Sequence, residues 1–194
     1  MENVLPPDAD LIPHDEMRRI SRTEYERLCA ERFFGDERVE LLFGMVVTMP
    51  PPDARHDTAI YHVHELLRRA IGERAMVRNQ SSFAASDDSM PVPDIFVIST
   101  DDYWNKRPSR AQLVVEVSNT SIRRDRVIKA RLYARVDVEE YWIVDVNDGT
   151  VEVHRDHRDG RWRSITTFGR GDTLSPLAFP DVVIAVSEIV PPID

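Results

Sequence analysis

Two short apolar segments form the most strand-like part of this 194-residue chain: Pro93-Asp-Ile-Phe-Val-Ile-Ser99 and Gln112-Leu-Val-Val-Glu-Val-Ser118. Both segments are rich in β-branched residues, which favour strands. The connection between them shows no obvious helix, so antiparallel pairing is the simplest arrangement. In that pairing the start of the first strand lies beside the end of the second, and Asp94 is predicted to lie close to Glu116.

The rest of the chain alternates helical and extended patterns around these two strands. Ser21 and Glu24 form a capping-box pattern before a short helix that runs to about Arg32. A hairpin is predicted over residues 39–48, with its turn at Phe43-Gly44. Helices are predicted over 53–71 and over 122–136, the second with Ile128 and Leu132 facing inward. A three-stranded antiparallel meander is predicted over 140–145, 150–155 and 162–168.

These elements predict an α/β fold with a central mixed β-sheet, helices on its faces and an added antiparallel meander. Residues 1–19 contain Pro6, Pro7 and Pro13 and are predicted to form a flexible N-terminal arm. Residues 20–190 are predicted to form a single domain, which agrees with the usual size of one.

Composition excludes several classes of protein. No apolar run approaches the ~18 residues that a membrane span needs, so no membrane association is expected. The acidic start of the chain, Met1 to Asp15, differs from a basic secretory signal peptide. The only cysteine, Cys29, excludes an intramolecular disulfide framework and suits a reducing compartment, so a cytoplasmic location is predicted.

The charge is unevenly distributed. The whole chain carries −9, which taken alone argues against a nucleic-acid partner. A basic segment, residues 104–135, contains nine Lys or Arg residues and two acidic residues, a net charge of +7, so the remainder carries −16. A basic segment on an acidic protein predicts a local binding surface, and the alternative is a solvated, arginine-rich helix face.

Glu116 and Asp94 form a candidate metal site. Period-two alternation separates Glu116 from its apolar neighbours Val115 and Val117. A lone carboxylate is costly to desolvate among apolar side chains, and two carboxylates repel each other unless a cation lies between them. The pair therefore predicts a hard divalent ion held by oxygen ligands, which is how Mg²⁺ is usually bound.

The helix after Glu116 carries a polar stripe. Asp125, Lys129 and Tyr133 stand at i, i+4 and i+8 and share one side of the predicted helix. If that side packs over the end of the strand, Lys129 points into the carboxylate pair. An ammonium group beside two carboxylates and a metal ion suits the stabilisation of a charged phosphoryl transition state.

Asp94, Glu116 and Lys129 occur within an ordered set of motifs. The set comprises Ser21-Arg-Thr-Glu-Tyr25, Val39-Glu-Leu-Leu-Phe-Gly44, Met49-Pro-Pro-Pro52 with His56 after it, Pro93-Asp94, Leu113-Val-Val-Glu-Val-Ser118, Arg124-Asp125 with Lys129 and Tyr133, and Val138-Glu-Glu-Tyr-Trp-Ile-Val-Asp145. It resembles the PD-(D/E)XK nuclease superfamily, and more specifically a large bacterial family of restriction-endonuclease-like proteins, the Uma-two-type family. The resemblance covers about Ser21 to Val186.

The resemblance implies a restriction-endonuclease-like fold and a metal-dependent endonuclease that hydrolyses DNA phosphodiester bonds with Mg²⁺ or Mn²⁺. It implies Asp94 and Glu116 as metal ligands and Lys129 as the catalytic lysine. Glu40 matches an earlier acidic position of the family, and the resemblance implies that it binds the metal directly or through water. The alternative is an exposed strand residue without a role in the site.

Two further residues are candidates for substrate binding. Arg126 lies three residues before Lys129, and therefore beside it on an α-helix, and is predicted to contact a DNA phosphate. Tyr133 is the second candidate, with packing as its alternative role. His56 either caps the helix that it begins or approaches the site. Trp104 either lies at the rim of the core or stacks on a base.

Other functions are compatible with the same residues. Glu116 and Lys129 could form a buried ion pair without any metal. The chain could be a catalytically inactive nuclease-fold module that binds nucleic acid or has a structural role, or a metal-dependent hydrolase of a smaller phosphoester. A homodimer is compatible with the nuclease function, because two active sites are the simplest means of cutting two strands.

Overall fold

The computed structural model describes residues 16–51 and 53–192 and contains ten strands within that part of the chain. They are β1 (Val39–Leu42), β2 (Met45–Thr48), β3 (Met76–Asn79), β4 (Ile95–Ile98), β5 (Leu113–Ser118), β6 (Tyr141–Asp145), β7 (Thr150–Arg158), β8 (Arg161–Phe168), β9 (Thr173–Leu174) and β10 (Ile184–Ala185).

A six-stranded sheet with the order β3-β4-β5-β6-β7-β8 forms the centre of the structure. Strands β5 and β6 are parallel, and every other neighbouring pair in this sheet is antiparallel. Two small hairpin-like sheets, β1-β2 and β10-β9, lie outside it. The predicted α/β fold, with a central mixed sheet and an antiparallel meander formed by β6, β7 and β8, is confirmed.

The main helices begin and end where local signals predict. Ser21 caps α1 (Arg22–Ala30) through a capping box with Glu24, and Asp53 caps α2 (Ala54–Ile71). Gly72, with φ +62°, ends α2 in a backbone conformation that favours glycine. Short 3₁₀ turns cover Gly72–Arg74 and Val186–Glu188. None of the helices in the described residues has both the length and the apolar composition of a membrane span.

The pairing predicted between the two central strands is confirmed. Strands β4 and β5 run antiparallel, with Ile95 opposite Val115. Because Asp94 directly precedes β4 and Glu116 lies near the carboxyl end of β5, the two residues meet at the same end of the sheet. Strand β6 continues the sheet in parallel beyond β5, with Ile143 opposite Glu116.

Helices cover both faces of the central sheet. On one face, Val63 and Leu67 of α2 lie in the same buried cluster as Val115 of β5. On the other face, Leu132 lies in a second buried cluster with Val114. Since side chains alternate along a strand, Glu116 projects toward the same face as Val114, where the helix between β5 and β6 packs.

That helix, residues 122–135, is not one continuous α-helix. It consists of a short α turn α3 (Ile122–Arg124), a π-helical turn (Asp125–Lys129) in which the Ala130 N–H donates to the Asp125 carbonyl, and α4 (Ala130–Arg135). Leu132 is buried as predicted, but Ile128 is 40% exposed. The inward position predicted for Ile128 is wrong, because it assumes α-helical spacing through a turn that is wider.

Of the predicted N-terminal arm, residues 1–15 lie outside the described residues. Residues 16–19 form neither helix nor strand. The Arg19 side chain donates to the Phe43 carbonyl across 3.1 Å, and the Ile20 N–H donates to the Gly44 carbonyl across 3.0 Å. These bonds attach the start of the described chain to the β1–β2 turn.

Candidate active site

Asp94, Glu116 and Lys129 line one cleft, at the carboxyl end of β5 and beside the first turn of α2. The cleft is also lined by Arg38, His56 and Arg124. The structure therefore brings together the three residues that the sequence predicts as catalytic. Asp94, Glu116 and Lys129 are each less than a tenth exposed, so their charges act on one another with little screening by water.

Lys129 lies between two carboxylates. Its Nζ donates to Oε1 of Glu116 across 2.9 Å and lies 3.4 Å from Oε2 of Glu40. Tyr133 donates its hydroxyl to the same Glu116 oxygen across 2.6 Å. Both donors bond to Oε1 of Glu116. No hydrogen-bond donor among the described residues contacts its other oxygen, Oε2.

The charges of the site perturb the ionisation of its members. Burial raises the pKa of the Glu116 carboxyl well above its usual range. The positive charge of Lys129 lowers that pKa, and the negative charge of Asp94 raises it. Burial alone would lower the pKa of Lys129, but Glu116 and Glu40 outweigh that effect and raise it, so Lys129 stays protonated. One buried ammonium group thus faces several carboxylates, and this excess of negative charge favours a cation in the cleft.

Asp94 is held by the neighbouring strand and by α2. Its Oδ2 accepts a hydrogen bond from the Val117 N–H across 2.8 Å and lies 3.4 Å from Nε2 of His56. The contact with Asp94 raises the pKa of His56, although partial burial opposes the shift. His56 reaches the cleft because Asp53 caps α2 and accepts the His56 N–H across 3.0 Å.

The π-helical turn is anchored by Asp125. Its Oδ2 accepts the hydroxyl of Ser118 across 2.5 Å and that of Ser121 across 2.6 Å. Tyr141 donates to the Asp125 carbonyl across 3.2 Å. These bonds connect the end of β5 to the turn that carries Lys129, and they fix where the lysine enters the carboxylate pair. The position of a π turn at this site agrees with the frequent occurrence of such turns at functional sites.

Glu40 lies behind Lys129 rather than on the cleft wall. It is fully buried, and its Oε2 accepts the Val92 N–H across 3.3 Å. Its Oε1 has no hydrogen-bond partner among the described residues. Glu40 thus contacts Lys129 as Glu116 does, and its predicted role as a metal ligand stays a prediction.

The two predicted substrate-binding residues lie in different surroundings. Tyr133 is fully buried and contacts Glu116, and burial raises its pKa well above the usual range. Arg126 forms ion pairs with Glu152 at 2.5 Å and Asp145 at 3.7 Å and does not line the cleft. The predicted phosphate contact of Arg126 assumes α-helical spacing, which would place it beside Lys129. The π turn is wider, so Arg126 does not lie in that position.

Sequence reasoning missed two arginines that do line the cleft. Arg124 donates to the Thr48 carbonyl across 3.3 Å, and Arg38 precedes β1. The signal for Arg124 is its place directly before Asp125, the anchor of the π turn. For Arg38 the sequence holds no comparable signal, because its approach depends on how the β1–β2 hairpin packs beside the central sheet.

The acidic side chains of the cleft can supply part of the ligand shell of a divalent ion. Within residues 16–51 and 53–192, no three acidic, histidine or cysteine side chains converge as a preformed metal cage. Mg²⁺, however, is usually held by one or two carboxylates and retains water or substrate phosphate as its other ligands. Asp94 and Glu116, with an oxygen of Glu116 left free of hydrogen bonds, fit Mg²⁺ or Mn²⁺ in this manner.

Known proteins share this architecture. The structure is similar to the crystal structure of "a putative nuclease belonging to DUF820" from Anabaena variabilis ATCC 29413, with a TM-score of 0.66 and 16% sequence identity, over 79% of this chain and 90% of that chain. No curated protein sequence matches the chain. Residues 22–187 match the Uma2 family, described as "Putative restriction endonuclease". The nuclease-like architecture and the sequence match agree, and the chain belongs to the Uma2 family.

Proposed function

We propose that the protein hydrolyses DNA phosphodiester bonds with a divalent metal ion, Mg²⁺ or Mn²⁺, bound by Asp94 and Glu116. The observation that carries the proposal is the convergence of these two carboxylates and Lys129 on the wall of one cleft. Membership of a family described as "Putative restriction endonuclease" supports a nucleic-acid substrate. When bound, the ion supplies Lewis-acid polarisation of the phosphoryl oxygen and lowers the pKa of a water ligand.

Lys129 stabilises the charge that develops on the phosphoryl group. Its ammonium is held in place by Glu116 and Glu40 before substrate arrives, so little reorganisation is needed during the reaction. Tyr133 supports this geometry by donating to Glu116. We assign Tyr133 a positioning role, since its hydroxyl is buried against the carboxylate.

Arg38 and Arg124 bind and orient the phosphate backbone at the mouth of the cleft. Both line the cleft, and arginine is well suited to phosphate recognition because its guanidinium donates two parallel hydrogen bonds. These contacts supply affinity without reading sequence. Two such sites are the simplest means of cutting both strands of a duplex, and we propose a homodimer for that reaction.

The test is cleavage of supercoiled plasmid by the purified protein with Mg²⁺, Mn²⁺ or EDTA. Nicked plasmid should form with either ion and should be absent with EDTA. Glu116→Gln, which preserves the shape of the side chain but removes its charge, should abolish cleavage. Glu140→Gln is the matched control, because Glu140 is also a buried carboxylate paired with an arginine, Arg155, but lies outside the cleft lining. It should retain activity.

The alternatives give different results. Cleavage that persists in EDTA would contradict the metal requirement. Hydrolysis of bis(p-nitrophenyl) phosphate without any cleavage of plasmid would favour a hydrolase of small phosphoesters. Salt-dependent DNA binding without cleavage under any of these conditions would favour an inactive binding module.

A further inference from the structure

Trp104 is the most exposed large apolar side chain in the described part of the chain. It is 93% exposed, whereas Trp142 is fully buried. Trp162 is partly covered, and its Nε1–H donates to the Ala130 carbonyl across 2.8 Å. No packing role therefore accounts for the indole of Trp104, which places a large aromatic surface in water.

The loop that carries Trp104 is held by several contacts. The Trp104 N–H donates to Oδ1 of Asp102 across 3.0 Å, and the Tyr103 hydroxyl donates to the Ser99 carbonyl across 3.2 Å. Lys106 forms an ion pair with Asp101 at 2.6 Å. The indole is thus presented by a loop with defined hydrogen bonds, so binding a ligand there costs less ordering of the backbone.

Basic side chains surround Trp104. A groove of about 700 Å³ beside it falls within the size range of small-molecule sites. Among its lining residues, Arg22, Arg78, Lys106 and Arg107 are basic, and Glu26 is acidic. Arg107 pairs with Glu26 at 3.1 Å, whereas neither Arg22 nor Arg78 forms an ion pair with any described residue.

The groove lies on the same face of the central sheet as the cleft, toward the other end of β4. Arg78 stacks over Phe96, 5.9 Å from the ring centroid, and Phe96 shares a buried cluster with Val114. Glu116 projects toward that face, two residues beyond Val114. The five steps along the chain from Asp94 to Ser99 correspond to about 17 Å of strand, at ~3.3 Å per residue. A single strand of several nucleotides can span that length.

We propose that the Trp104 groove (Arg22, Arg78, Trp104, Lys106 and Arg107) binds an unpaired segment of the nucleic-acid substrate, with a base stacked on Trp104 and phosphates beside the basic side chains. An aromatic platform within a positive groove is the combination by which proteins bind single strands. A duplex phosphate backbone would need only the cations, because its bases are already stacked on one another. The proposal rests on the nucleic-acid substrate in the proposed function and makes that substrate more specific: DNA with an unpaired segment beside the cleavage site.

Tryptophan fluorescence gives a direct readout of this stacking. The probe is an oligodeoxythymidine of about 12 nucleotides, within the site sizes of roughly 4–16 nucleotides known for single-strand binding folds. Titration in EDTA measures binding without cleavage. The fluorescence of the wild-type protein should be quenched, and Trp104→Phe should lose the quenching while it binds within a few fold of wild type. Trp104→Ala should bind about tenfold more weakly or worse, from the usual contribution of one stacked base.

Matched controls separate stacking from other effects. Phe33→Ala removes another exposed aromatic side chain, 72% exposed and outside the groove, and should bind as wild type does. A fully paired hairpin of the same length should bind Trp104→Ala and wild type equally. An oligouridine of equal length shows whether the groove also takes RNA.

Several results would overturn the proposal. The first is an affinity of Trp104→Ala for the oligodeoxythymidine that equals that of wild type. The second is a loss of affinity in Trp104→Ala that is equal for the oligodeoxythymidine and the hairpin. The third is fluorescence quenching that persists in Trp104→Phe. Quenching that changes with protein concentration and not with added oligodeoxythymidine would show that Trp104 contacts a second protein molecule instead of a base. Because binding is measured in EDTA, the test of the groove is independent of cleavage. Quenching by the oligodeoxythymidine in a protein that never cleaves plasmid would support the groove and contradict the nuclease function. Plasmid cleavage together with unchanged binding by Trp104→Ala would support the nuclease function and contradict the groove.

Discussion

Lys129 and Glu116 form a buried ion pair, with Nζ of the lysine 2.9 Å from Oε1 of the glutamate and both side chains at most 5% exposed. The Tyr133 hydroxyl donates to the same oxygen. One oxygen of Glu116 thus holds the lysine and the tyrosine, and the other has no donor among the described residues. A carboxylate with one oxygen hydrogen-bonded and the other without a donor can orient a lysine and bind a cation at the same time.

Removing Lys129 should destabilise the protein as well as stop cleavage. Lys129→Met leaves Glu116 and Glu40 buried without their shared cation, which typically costs about 3–5 kcal/mol. Adding Glu40→Gln to Lys129→Met removes one of those charges and should recover part of the loss. Urea denaturation of wild type and both variants measures the effect. A Lys129→Met protein as stable as wild type would show that the ion pair contributes nothing to folding.

Asp94→Asn should lose metal binding and cleavage while the protein stays folded. The amide oxygen can still accept the Val117 N–H, and the variant has less negative charge in a crowded site. Without metal, its melting temperature should equal or exceed that of wild type. Mn²⁺ should raise the melting temperature of wild type, by binding only the folded state, and leave that of the variant unchanged. A clear loss of stability in metal-free Asp94→Asn would make Asp94 a structural residue.

Arg124 and Arg126 can be distinguished by salt dependence. Arg124 lines the cleft, whereas Arg126 pairs with Glu152 and Asp145. Arg124→Ala should weaken DNA binding for all sequences and reduce the slope of log affinity against log salt by about one, as for one lost phosphate contact. Arg126→Ala should change the slope less. The reverse order would support the substrate contact that α-helical spacing predicts for Arg126.

His154 should make stability sensitive to acid. It is 3% exposed, packs against Tyr141 and Trp162, and has no hydrogen-bond partner on either ring nitrogen among the described residues. Burial lowers its pKa below the usual 6.5, although Glu152 opposes the shift. Below pH 6.5 the unfolded chain therefore binds a proton before the folded chain does, and stability falls.

Substitution of this histidine tests the effect. His154→Phe retains an aromatic ring but cannot bind a proton, so its melting temperature should fall less than that of wild type between pH 7.5 and pH 5.5. His62→Gln serves as the control, because His62 is exposed. Equal losses in wild type and His154→Phe would show that other groups cause the acid sensitivity.

Much of the fold follows from local patterns. The β-branched segments around Asp94 and Glu116 and the absence of a helix between them predict their antiparallel pairing, and the structure has it. The capping-box pattern at Ser21 likewise marks where α1 begins, and the apolar period after Asp53 marks α2. In both cases the deciding interactions join residues close together in sequence or follow a simple period.

The parts of the site that sequence patterns miss depend on side-chain contacts that no regular period contains. The π turn is anchored by bonds from Ser118 and Ser121 to Asp125, and helical periodicity does not contain them. Its wider spacing exposes Ile128 and carries Arg126 away from the cleft. The sequence leaves open whether His56 caps α2 or approaches the site, and the structure brings it within 3.4 Å of Asp94.

The location of a bound Mn²⁺ ion tests the metal site most directly. Anomalous diffraction from crystals soaked in Mn²⁺ should show one ion coordinated by carboxylate oxygens of both Asp94 and Glu116, next to Lys129. Glu116→Gln crystals soaked in the same way should lose that ion. An ion bound elsewhere, or bound by only one of the two carboxylates and unaffected by Glu116→Gln, would contradict the proposed site.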